Sequence, residues 1–272
     1  MQKYRIPTLT IAGSDSSGGA GVQADLKTFS AIGTYGMSVI TAITAQNTKG
    51  VFAVEELSND IIRNQIETVF DDIVPKSVKI GMVSSHEIIL EIARTLKKYN
   101  PKYLVVDPVM ISKSGYSLLK PQAQENLIKY LIPMAYIITP NTEEAQEITK
   151  IEIKNIKDMK LAGEEILKMG PKYVLMKGGH LEGDAVDILI GKDTFEVYKS
   201  KRFDRKNTHG TGCTLSSAIA SYLALGYDIK DSVKLSKGYI TKAIENSFDI
   251  GHGVGPVHHF YKFDKASEVE YV

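Results

Sequence analysis

Short apolar runs rich in β-branched residues recur along the chain at Leu9–Ala12, Val39–Thr44, Val78–Ile80, Tyr103–Val106, Tyr136–Thr139 and Tyr173–Met176. Each is too short to bury a helix and is expected as a buried strand. Longer segments between them carry apolar residues at helical spacing, such as Ile61, Ile62, Ile66, Val69 and Phe70, or Ile88, Ile89, Ile92 and Leu96. One apolar stripe per segment predicts crossover helices. Strand and helix in alternation imply an α/β fold, a mainly parallel central sheet with helices on both faces, joined by right-handed crossovers. Ligands then gather at the carboxyl ends of the strands. Two later runs, Val186–Ile190 and Thr194–Tyr198, flank the turn cluster Gly191-Lys192-Asp193, which predicts a hairpin and a small antiparallel edge. Helices are expected over Thr211–Leu225, dense in Ala and Ser, and over Ile229–Asn246.

Composition narrows the class. The 272 residues are 43% hydrophobic and 24% charged, with no repeat or low-complexity linker, so residues 1–272 are expected to form one globular domain. Lys and Arg total 33 against 32 acidic residues, without a basic tract, so nucleic acid is not an expected partner. No apolar run reaches the roughly 18 residues that span a bilayer, and the polar start, Met1–Pro7, lacks the apolar core of a secretory signal. Cys213 is the only cysteine. It can make no intramolecular disulfide, which fits a reducing cytoplasm, and a cysteine cluster for zinc is excluded. His258 and His259 are neighbours whose side chains diverge, so they are expected at the surface rather than on a metal.

Five segments carry candidate chemistry. Gly13-Ser14-Asp15-Ser16-Ser17-Gly18-Gly19-Ala20-Gly21 joins the first strand to the helical stretch containing Asp25. It lacks the Lys-Ser/Thr of a nucleotide-binding lysine loop and the dinucleotide G-x-G-x-x-G. Its small residues admit a ligand to the backbone, or simply make a turn, and Asp25 supplies a carboxylate at the helix start. Asn207-Thr208-His209-Gly210-Thr211-Gly212-Cys213 runs into the Ala/Ser-rich helix. The amides at Gly210, Gly212 and Cys213 lie at the positive end of its dipole without intrahelical partners, so an anion such as a transferring phosphoryl group belongs there. The same helix end is expected to lower the Cys213 thiol from about 8.5 and make it a usable base near neutral pH. Cys213 as a buried small hydrophobe, or as a nucleophile paired with His209 in a hydrolase, remain alternatives.

Lys177, at the end of a strand, can neutralise a nucleotide phosphate or merely be solvated. Asn141 and Glu144, one helical turn apart, suit water-shelled magnesium on phosphates, and Asn141 would serve equally as a helix cap. Asp107 ends a strand in Asp107-Pro108-Val109-Met110 and could hold magnesium or orient the phosphoryl acceptor. The polar tail Ile111-Ser112-Lys113-Ser114-Gly115 reads as a water-excluding flap.

Taken together, Ala12–Thr28, Tyr35–Gly50 with its core Thr44-Ala45-Gln46-Asn47-Thr48, Asp107–Met110, Lys177–Leu181 and Thr208–Ser217 resemble the ribokinase superfamily. Within it they resemble the hydroxymethylpyrimidine/phosphomethylpyrimidine kinase branch, across nearly the whole chain. The resemblance implies a ribokinase-like fold and ATP-dependent phosphorylation of a hydroxymethylpyrimidine and then of its monophosphate, in thiamine biosynthesis. It implies Cys213 as base beside Gly210 and Gly212, and a pyrimidine pocket of Gln46, Gly13, Asp25, Met82 and Val109. The nucleotide falls to Asn141, Glu144, Lys177, Asp187, Gly212 and Lys237, Mg2+ to Asp107 and Glu144, and the assembly to a homodimer. Most sugar kinases of the superfamily have an aspartate where Cys213 stands. Cysteine-type pyridoxal kinases are similar over much of the length, but those that trap the aldehyde carry a flap cysteine where this chain has Ser112, which favours pyrimidine over pyridoxal. A precursor-sensing binding protein on the same scaffold is the non-enzyme alternative.

Overall fold

A computed structural model describes residues 5–110, 121–179 and 184–263. The flap segment with Ser112, together with His180 and Leu181, lies outside the described residues. In chain order the elements are β1 (Pro7–Ala12), α1 (Gly21–Ile32), β2 (Tyr35–Ile40), β3 (Ala42–Asn47), β4 (Gly50–Glu56), α2 (Asn59–Asp72), β5 (Ser77–Ile80), α3 (His86–Tyr99) and β6 (Leu104–Val106). There follow α4 (Pro121–Asn126), which runs on through tighter and wider helical turns to Met134, then β7 (Ile137–Ile138), α5 (Thr142–Thr149), α6 (Ile156–Lys168), β8 (Tyr173–Lys177), β9 (Ala185–Gly191), β10 (Thr194–Ser200), α7 (Thr211–Ala224) and α8 (Ile229–Glu245).

The large sheet has the order β10-β9-β8-β7-β6-β5-β1-β2. From β8 to β2 the strands run parallel, and β9 and β10 close that edge as an antiparallel hairpin. Alternation along the strands divides the core in two. Leu104, Val106, Ile138, Val174 and Met176 meet α2 to α6, whereas Val105, Ile137, Leu175 and Leu189 meet α1, α7 and α8. Both faces are covered, which is why the strands read as unbroken apolar runs rather than alternating ones.

The run Val39–Thr44, read from sequence as one strand, is two. β2 ends at Ile40, and β3 begins at Ala42 in a separate two-stranded sheet with β4. At the bend, Thr41 donates its amide to the Ala12 carbonyl and accepts from the Leu57 amide, so its backbone groups serve two elements. A continuous β-branched pattern cannot signal such a change of partner. His259 also departs from expectation. It is buried, 3.0 Å from Thr214 Oγ1, and burial pushes its imidazole down to about 3.

The most consequential departure is Asp25. It is fully buried and does not reach the cavity described below. Its oxygens accept from Lys79 Nζ at 2.8 and 2.9 Å, from Thr10 Oγ1 at 2.6 Å and from Ser217 Oγ at 2.6 Å. The four groups tie β1, β5, α1 and α7 together at one point. Lys79 is fully buried as well; burial pulls its pKa down, but the Asp25 carboxylate, Cys213 and Asp107 together outweigh this and hold it above the usual lysine value. Removing one partner of a buried pair strands the other charge. Lys79→Met is therefore expected to destabilise the fold by about 3–5 kcal/mol, seen as a lower urea midpoint at unchanged slope. An unchanged midpoint would show that the pair does not hold these elements.

Candidate active site

A cavity of about 1250 Å³ opens at the carboxyl ends of the parallel strands. One end is built by the loop after β1 and by the β3–β4 hairpin. Asp15 organises that loop: its carboxylate accepts from the Ser17 amide at 2.9 Å, the Ser17 hydroxyl at 2.6 Å and the Gly19 and Ala20 amides at 3.1 and 2.8 Å. His209 Nε2 lies 2.8 Å from its Oδ2. Burial alone would raise Asp15, but His209 and Ser17 overcome it and hold the carboxyl at about 2. In the hairpin the register slips between Ala45 and Gln46. Such a bulge re-aims a side chain, and Ser16 Oγ secures it by bonding both the amide and the carbonyl of Gln46, at 2.9 and 2.8 Å. Gln46, Gly13, Met82 and Val109 line this end. A Cβ on Gly13 would strike the Met82 methyl, which would have to swing aside.

The opposite end is built by α5, β8, β9 and α8. Asn141 and Glu144 form a capping box on α5: Asn141 N donates to Glu144 Oε2 and Glu144 N to Asn141 Oδ1, each at 2.8 Å. The capping and ligand-binding readings of Asn141 are thus compatible. Lys177 Nζ donates to Asp107 Oδ1 at 3.0 Å and stands 3.9 Å from Glu144 Oε2. Lys237 Nζ donates to Asp187 Oδ2 at 2.6 Å. All six line the cavity.

The start of α7 spans the two ends. Gly210 caps the helix at φ +81, a conformation open to glycine, and a Cβ there would run into the Gly19 carbonyl oxygen. The loops at 13–21 and 207–212 thus lock together through two glycines. A Cβ on Gly212 would stand 3.5 Å from Asp107 Oδ2 and 3.6 Å from Lys177 Nζ, so the free amides of the first helical turn open beside the ammonium.

Electrostatics correct one expectation. Burial raises the Cys213 thiol to about 11; the Lys79 ammonium and the Gly21 amide act against this, while the Asp25 and Asp107 carboxylates add to it. Desolvation and two carboxylates outweigh the helix end. The dyad with His209 also lacks its contact, since His209 Nε2 faces Asp15 and Gln46, and among the described residues no hydrogen bond joins it to Cys213. Burial raises Asp107, but Lys177 and Lys79 reverse it and keep the carboxylate ionised. Glu144 is pushed up to about 7, by burial and by Asp107, against the pull of Lys177. Sequence reasoning passed over Asp15 and Lys79. The spacing Asp15-Ser16-Ser17, which lets an Asx side chain cap the amide two residues on, and a lone lysine between Val78 and Ile80 were the available signals.

Residues 15–258 match the family model described as phosphomethylpyrimidine kinase. The chain belongs to the phosphomethylpyrimidine kinase family. It is 50% identical over 261 residues to the hydroxymethylpyrimidine/phosphomethylpyrimidine kinase of Rhizobium meliloti, covering 94% of this chain and 98% of the relative. A crystal structure of phosphomethylpyrimidine kinase from Clostridium difficile is 74% identical, with TM-score 0.81 over 88% of this chain and all of that one. The pyridoxal kinase of Staphylococcus aureus in complex with AMP-PCP and pyridoxal is 37% identical, with TM-score 0.88 over 96% of each chain. The family member described here is accordingly a phosphotransferase on a ribokinase-like fold, and among its described residues no helix is long and apolar enough to cross a membrane.

The Glu144 carboxyl carries a testable sign. Its folded value of about 7 exceeds the ordinary 4.5, so the native state keeps a proton that the unfolded chain releases. Its contribution to stability is fully present below about 4.5, falls as pH rises and is lost once pH passes about 7. Glu144→Gln retains the capping geometry and is expected to remove that slope from unfolding midpoints measured between pH 5 and 7.5; an identical slope in the variant would refute the assignment.

Proposed function

We propose that the enzyme transfers the γ-phosphoryl group of ATP to the hydroxymethyl group of 4-amino-5-hydroxymethyl-2-methylpyrimidine, and in a second turn phosphorylates the monophosphate, within thiamine biosynthesis. One observation carries this reading. A single cavity holds a donor–acceptor amide, Gln46, at one end and the cationic pair Lys177 and Lys237 at the other, with the amino end of α7 running between them.

Gln46 offers both an acceptor and a donor to an aminopyrimidine edge, and Met82, Val109 and Gly13 supply the walls around the ring. Lys177 neutralises nucleotide phosphate, and Asn141, Asp187 and Lys237 position the nucleotide. The Gly212 and Cys213 amides meet the negative charge that grows on the phosphoryl group as it moves, and being already oriented they need no reorganisation. Asp107 and Glu144 are a fitting pair for Mg2+, which needs only one or two carboxylates beside phosphate and water; both oxygens already face one cation, Lys177. When bound, the ion would offset phosphate charge there.

Cys213 takes the acceptor proton in this reading. A thiol near 11 is mostly protonated at neutral pH, so the active thiolate grows with pH. For the free enzyme, kcat/KM is expected to climb from pH 7 to 9.5. Cys213→Ala is expected to lose at least about tenfold in kcat, with modest change in nucleotide affinity, and to flatten the climb. Full activity in that variant removes Cys213 as base.

The similarity to a pyridoxal kinase supports a second reading, vitamin B6 salvage through pyridoxine or pyridoxal. ADP release with hydroxymethylpyrimidine, its monophosphate, pyridoxine and pyridoxal ranks the acceptors. Stimulation by none of them would sink the kinase readings, and binding without turnover would favour the sensor. A homodimer is part of the proposal, supported by the exposed Ile43 and Phe52 of the β3–β4 hairpin, as is a cytoplasmic location suited to the free thiol of Cys213.

A further inference from the structure

Gln46 sits between two partners whose protons are already committed. Its Oε1 lies 3.3 Å from Thr44 Oγ1 and its Nε2 lies 3.3 Å from His209 Nε2. The two ends of a carboxamide have the same shape and differ in whether they give or take a proton, so the neighbours decide which end is which. On one side, the single hydroxyl proton of Thr44 goes to the Ser14 carbonyl at 2.8 Å. Toward Gln46 the Thr44 oxygen can then only accept. On the other side, His209 Nε2 lies 2.8 Å from Asp15 Oδ2. That carboxylate accepts from three amides and a hydroxyl of its own loop and stays ionised. Nε2 must therefore carry a proton to meet it, and has no lone pair for an amino group. Thr44 demands the amino end of Gln46, and His209, whose one Nε2 proton points chiefly at Asp15, refuses an amino group and offers a carbonyl only a shared, longer contact. The amino end therefore lies toward Thr44 and the carbonyl end toward His209.

We propose that His209, locked by Asp15, is a positioning residue that sets the direction of the Gln46 amide and so the way round in which an aminopyrimidine binds. The inference rests on the reading of Gln46 as the pyrimidine-recognising amide. Along the substrate edge the groups run ring nitrogen, amino, hydroxymethyl. The nitrogen accepts and pairs with the amide hydrogen on the Thr44 side; the amino group donates to the carbonyl on the His209 side. The hydroxymethyl then falls beyond His209, toward Gly210 and Cys213, where the phosphoryl group arrives. A reversed amide would turn it away. Gly19 belongs to the device, because a Cβ there would collide with the His209 ring.

Calorimetric binding of the aminopyrimidine and of the same compound lacking its 4-amino group, to the full-length protein and its variants, tests this. The native protein is expected to prefer the amino compound, and Gln46→Ala to lose that preference. His209→Ala is expected to cut the preference about tenfold. His209→Gln keeps an N–H for both Asp15 and Gln46, and is expected to retain most of it. Preference intact in Gln46→Ala would bring down the Gln46 reading itself. Preference lost in Gln46→Ala but intact in His209→Ala, equal weakening of both ligands in His209→Ala, or His209→Gln behaving as His209→Ala would each overturn the positioning role alone.

Discussion

The Lys79–Asp25 pair is the constraint around which the rest of the molecule is arranged. Both side chains are fully buried, and an isolated charge at that depth would be very costly. Asp25 answers with four hydrogen bonds, one of them from Ser217 on α7, one turn beyond Cys213. The amino end of α7 is thus held against β1 and β5 through the buried Asp25 carboxylate. Small residues follow from this closeness. Gly81 leaves room for the Lys79 side chain, and Ser216, Ser217, Ala218, Ala220 and Ser221 are among the buried residues of α7.

The same pair shapes the chemistry above it. The Lys79 ammonium draws the Cys213 thiol down, whereas Asp25, Asp107 and burial drive it up. The helix end alone would predict a thiolate, but its partial charge is smaller than a full carboxylate nearby. Lys177 plays the corresponding part at the α5–β8 end of the cavity, bridging Asp107 and Glu144. One lysine is sealed beneath the site as a structural charge; the other lines the cavity.

Two loops distant in sequence complete the Gln46 end of the cavity. Asp15 folds the first loop around its own carboxylate and reaches His209 in the second. Gly210 seats against Gly19 so closely that neither loop tolerates a larger residue. The bulge at Gln46 is fastened by Ser16 of the first loop.

Local pattern determined a good deal of this. The buried strands, crossover helices α2 and α3, the β9–β10 hairpin and the helix starting at Thr211 follow from periodicity and turn residues, which act over a few neighbours. The resemblance pointed to Gln46, Lys177, Asn141, Glu144, Asp187 and Lys237, and these do line one cavity. What the tertiary structure decided was partnership. That β2 and β3 part at Thr41, that Asp25 faces Lys79 rather than a ligand, that His209 serves Asp15 rather than Cys213, and that the thiol stands near 11 all depend on groups up to 194 positions apart. Burial and Coulomb terms belong to the space around a group, and a linear pattern holds no record of which distant charge will share it.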